Sequence, residues 1–79
     1  MKIEITDLKA NKSIIFNTKL KLISWMSADP KRVGSPLMFE YVKASPYKYN
    51  CVDVASCLSK DYKYNMNCVY TYAAKNKNI

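Results

Sequence analysis

Seven tyrosines, three cysteines and six carboxylates are the side chains of this 79-residue sequence best suited to chemistry, and no histidine accompanies them. Without an imidazole there is no Ser-His or Cys-His pair, no His-ligated metal and no group whose ordinary pKa lies near neutrality. The carboxylates Glu4, Asp7, Asp29, Glu40, Asp53 and Asp61 are scattered along the chain. Loops that cradle phosphate need several glycines, and Gly34 is the only one.

Asp53 followed by Asp61-Tyr62-Lys63 is the one grouping a metal-dependent nuclease could use. There, two carboxylates would hold Mg²⁺ and the lysine would assist the attacking water. The spacing is tight and arises readily in a Lys-rich chain, so solvated surface charge is the expected role. Cys51, Cys57 and Cys68 lack the close paired spacing of zinc sites and read as buried free thiols. An odd number of cysteines cannot close a full internal disulfide framework. The expectation is a protein with no catalytic residue, no metal and no cofactor; a minimal nuclease ranks a distant third.

The tyrosines remain. All seven lie between positions 41 and 72, interleaved with Lys43, Lys48, Lys60 and Lys63. Aromatic faces stack on unpaired bases for roughly 1–3 kcal/mol each while lysine neutralises phosphate. Exposed tyrosines also anchor protein interfaces. The candidate binding surface is therefore Tyr47, Lys48, Tyr49, Tyr62, Lys63, Tyr64, Tyr70 and Tyr72, with Lys31 and Arg32 as candidate loop contacts. The competing role for each tyrosine is to wall the core with its hydroxyl at the rim.

Residues 62–72 carry the strongest periodicity. Tyr62, Tyr64, Met66, Cys68, Tyr70 and Tyr72 alternate with polar positions, as in a half-buried strand, either unbroken or folded at Asn65-Met66-Asn67 into a tight hairpin. Upstream, residues 2–7 and 13–17 read as two strands joined by a polar turn. Thr18 caps a helix over 19–28, although Lys19-Leu20-Lys21-Leu22 alternates too and permits a longer strand. Residues 29–36 form a loop with Gly34 and two prolines. Residues 37–44 are rich in β-formers and read as a strand ended by Pro46. Residues 51–59 place Cys51, Val54, Ala55 and Leu58 at helical spacing with Asn50 as cap. The expected fold is α+β: a small, mainly antiparallel sheet with one or two helices on one face, in the order β-β-α-β-α-β. One domain spans 1–74, and 75–79 form a flexible tail.

Thirteen Lys and Arg against six Asp and Glu leave a net charge of +7, spread evenly along the chain. That sign favours nucleic acid or acidic protein faces as partners. Arg32 is the only arginine, which disfavours sequence-specific base readout. No apolar run is long enough to span a membrane and no leader is evident, so a cytoplasmic protein with reduced thiols is expected. A composition rich in Lys, Asn, Ile and Tyr fits an A+T-rich gene of the kind phages carry. The leading functional expectation is a small, phage-like, non-catalytic inhibitor or adaptor that docks a Tyr/Lys-rich surface onto a host protein or nucleoprotein complex. The alternative is sequence-tolerant binding of RNA or single-stranded DNA. An exposed strand edge could also pair with a second copy into a homodimer.

Overall fold

A computed structural model describes residues 2–65. Strand β1 (Ile3–Asp7) and strand β2 (Lys12–Phe16) form the expected hairpin. Its tip is an Asx turn: one Asp7 carboxylate oxygen accepts from the Lys9 and Ala10 backbone N–H groups, at 3.0 and 3.1 Å. Asn11 closes the turn at φ 54°, a left-handed conformation that asparagine tolerates better than most residues. Strand β3 (Tyr62–Tyr64) pairs antiparallel with the other side of β1, giving the order β2-β1-β3. The register sets Ile3 opposite Phe16 and Ile5 opposite both Ile14 and Tyr64, so one sheet face is apolar. Glu4, Thr6, Ser13 and Lys63 lie on the other.

Helix α1 (Lys19–Ala28) starts where Thr18 Oγ1 accepts from Lys21 N at 3.1 Å. Leu22, Ile23 and Met26 are buried at i, i+1 and i+4, one stripe against the sheet. A single 3₁₀ turn (Pro30–Arg32), capped by Asp29, leads to helix α2 (Pro36–Ala44). A short helix α3 (Cys51–Ala55) follows. Here Asn50 and Asp53 make a reciprocal capping box, with Asp53 N donating to Asn50 Oδ1 at 2.8 Å and Asn50 N donating to Asp53 Oδ2 at 3.2 Å.

The fold is thus a small α+β domain with helices on one face of an antiparallel sheet, as the sequence predicts. One element differs: residues 37–44 form helix α2, so the fourth element is a helix rather than a strand. Pro36 at the first helical position has the required φ and no N–H to waste. Phe39 and Val42, three apart, then both enter the core, which a strand would send to opposite faces. Helical packing therefore outweighs the local β propensity. The helix expected over 51–59 is also shorter, ending at Ala55. Of the strand or hairpin expected over 62–72, the described part is Tyr62–Tyr64; the remainder and the tail at 75–79 lie outside the described residues.

Two tethers hold the layers together. Gly34 N and Ser35 N both donate to the Cys57 carbonyl, at 2.8 and 3.3 Å, and Ser59 N donates to the Arg32 carbonyl at 2.9 Å, fastening the start of α2 to the chain after α3. Trp25 of α1 supplies the second. Its ring lies 5.4 Å from Phe16 on β2 and 5.2 Å, edge-on, from Tyr62 on β3, with the Arg32 guanidinium 4.5 Å above it. Among the described residues no helix is long and apolar enough to cross a membrane.

Candidate functional site

The tyrosines of the expected surface separate according to their elements. Tyr62 and Tyr64 on β3 share the face of Ile5 and are half-buried against the core, Tyr62 through Trp25. Lys63 between them is exposed on the opposite face. Tyr49 also packs on the core, and its carbonyl accepts from Lys19 Nζ. Tyr47 stands out instead: it sits in the turn after α2 at 83 % exposure, next to exposed Lys48. Lys31 is exposed in the 3₁₀ turn, whereas Arg32 is partly buried, donating to the Trp25 carbonyl at 2.8 Å while stacked on its ring. Tyr70, Tyr72 and Cys68 lie outside the described residues.

Helix α2 adds residues that a strand assignment hides. Leu37 is 72 % exposed and Tyr41 58 %, one helical turn apart on one stripe, and Met38 adjoins them. A helix that buries Phe39 and Val42 must turn Leu37 and Tyr41 outward, because 100° per residue places them on the far side. The signals for this were present in the Ser35-Pro36 start and the three-residue spacing of Phe39 and Val42.

The opposite flank of α2 closes a shallow pocket of about 190 Å³ against the end of α1 and the 3₁₀ turn. Its apolar walls are Met26, Pro30, Val33, Pro36 and Phe39. At its rim Lys43 Nζ pairs with Glu40 Oε1 at 2.8 Å and stands 5.2 Å over the Phe39 ring.

The side chains considered for catalysis have structural duties. Asp53 belongs to the α3 capping box, Asp61 pairs with Lys9 at 3.4 Å on the surface, and Lys63 stands exposed on β3. Among the described residues no three His, Cys, Asp or Glu side chains converge where a metal ion could sit. Cys51 and Cys57 are free and buried. Burial pushes the Cys51 thiol above its ordinary 9.0, outweighing the backbone N–H groups and Lys19 that favour the thiolate. Burial also raises Cys57, and nearby Asp53 adds to that effect. Such thiols are poor nucleophiles.

A raised thiol pKa stabilises the fold while protonated. That contribution is complete below the unfolded value near 9.0 and is lost as pH rises through the higher folded one. In a Cys68→Ser background, iodoacetamide at pH 8 should label the native protein about tenfold or more slowly than the urea-unfolded chain, because reaction waits on opening. The urea midpoint should fall between pH 8.5 and 10 by less in Cys57→Ala than in the parent. Equal labelling rates in the folded and unfolded states would contradict this account.

Comparison of the chain with family models, curated proteins and solved structures found no match.

Proposed function

We propose that this chain is a small non-catalytic interaction protein, an inhibitor or adaptor of the phage-borne kind. It docks the α2 face and the Tyr47-Lys48 turn onto an acidic face of a host protein or nucleoprotein complex. The observation that carries this reading is the outward set Leu37, Met38 and Tyr41 on one helix, with Leu37 exposed by 72 %, and Tyr47 exposed by 83 % in the turn that follows. Grouped apolar side chains of this size on a small domain mark an interaction site, and tyrosine supplies contact area at low entropic cost. The net charge of +7 selects an acidic counterpart and speeds encounter with it. Buried free thiols suit the reducing cytoplasm, where such a partner would be met.

Tyr47 beside Lys48 also supports the second reading, single-stranded nucleic acid, since a base could stack there. Leu37 and Met38 favour a protein: aliphatic side chains contribute little to a stack but much to an apolar interface.

Affinity capture from host cells, with and without nuclease, separates the two. A stoichiometric protein should remain after nuclease treatment. Leu37→Ala or Tyr41→Ala should weaken its binding by about 2 kcal/mol each, roughly thirtyfold, with the thermal melt unchanged. Capture that vanishes with nuclease would shift the assignment to nucleic acid. Full binding by both variants would remove α2 from the interface.

A further inference from the structure

The pocket beside this face deepens the reading just given, and rests on it. We infer that it seats one large apolar side chain, phenylalanine- or leucine-like, presented by an acidic peptide segment of the partner protein. Its volume is about 190 Å³, and an apolar cavity of about 150 Å³ accepts benzene. The walls are preformed. Met26 and Phe39 are held in the core, while Pro30 and Pro36 have ring-locked backbones, so little ordering opposes binding.

Polar recognition inside the pocket is sparse. The Ser27 hydroxyl, on its lining, donates to the Ile23 carbonyl at 2.8 Å, and Glu40 is paired with Lys43. Those features suit a hydrocarbon side chain rather than a polar metabolite. Charge sets the sequence around that side chain. Between positions 29 and 48, Lys31, Arg32, Lys43 and Lys48 oppose Asp29 and Glu40 alone. Lys43 and Glu40 balance each other, which leaves Lys31, Arg32 and Lys48 against Asp29, a surplus of two cations for incoming carboxylates. A second copy of the chain would bring another +7, which opposes self-occupancy.

The test uses the full chain with ¹³C-labelled Met and Val methyls, titrated with three peptides: Ac-Glu-Asp-Phe-Glu-Asp-NH₂, its Phe→Ala version, and Ac-Lys-Lys-Phe-Lys-Lys-NH₂. The acidic Phe peptide should shift Met26 and Val33 saturably, and the other two should bind at least tenfold more weakly. Ser27→Trp, which fills the pocket from an exposed position, should abolish the shifts. Lys43→Glu brings the 29–48 segment to neutrality and should erase most of the preference for the acidic over the basic Phe peptide, and it carries the test if Ser27→Trp melts early. No saturable shift, equal binding of the Ala peptide, or indifference to charge would overturn the inference. Shifts that follow protein concentration without peptide would assign the pocket to a second copy and overturn it as well. Capture of a partner that needs Leu37 and Tyr41 but is unaffected in Ser27→Trp would refute the pocket while leaving the docking face intact.

Discussion

Trp25→Ala is expected to lower stability by about 3–5 kcal/mol, enough to leave a domain of this size largely unfolded at 37 °C. The effect exceeds that of an ordinary partly buried residue because of what the ring joins. Phe16 and Tyr62, 5.4 and 5.2 Å away, belong to the two outer strands, and Arg32 stacks on it from the 3₁₀ turn. Aromatic pairs contribute about 0.5–1.5 kcal/mol beyond the area they bury, and a cation over indole contributes comparably. Removing the ring leaves a cavity between helix and sheet and takes away the surface on which the guanidinium stacks. Since Trp25 is the only tryptophan, urea unfolding should be followed by far-ultraviolet circular dichroism. Trp25→Phe should recover more than half of the loss. A cost below about 1 kcal/mol for the alanine variant would show that the helix–sheet contact rests on other residues.

Gly34→Ala is expected to cost about 1–3 kcal/mol, with Tm falling by roughly 4–8 °C per kcal/mol. An added Cβ would lie 2.7 Å from the Leu58 carbonyl oxygen and 2.9 Å from Ser59 Cα. Both neighbours are backbone, so no side chain can swing aside. The glycine has no positive φ, and the penalty is steric rather than conformational. Relief requires separating residues 33–35 from 57–59, which stretches the bonds from Gly34 N and Ser35 N to the Cys57 carbonyl. Because that junction sets the start of α2, the variant should also lose partner affinity beyond what its melting explains. Differential scanning calorimetry measures the first effect, and binding well below Tm the second. An unchanged Tm would mean that the two segments part freely.

Local chemistry made much of the fold legible. The Asx turn after Asp7, the Thr18 cap and the Asn50–Asp53 capping box are contacts within three residues, so neighbouring residue types suffice to specify them. The pairing of β1 with β2 follows likewise from two apolar runs and a short polar turn. The segment 37–44 misleads because Met, Phe, Tyr and Val suit strands by composition. Whether Phe39 and Val42 bury together depends on a core assembled from Leu22, Met26 and Val54, distant in sequence.

The same distinction governs the candidate site. Missing histidine, sparse glycine, a single arginine and a charge of +7 are properties of composition, and no folding alters them. The alternation at Tyr62, Lys63 and Tyr64 likewise announces a two-faced strand, since the period comes from strand geometry itself. Tertiary packing decides which face meets the core. Trp25 and Ile5 claim Tyr62 and Tyr64, while among the described residues Leu37, Tyr41 and Tyr47 stay exposed. A side chain's exposure depends on every other element competing for the same core volume, and that competition is settled only when the chain closes.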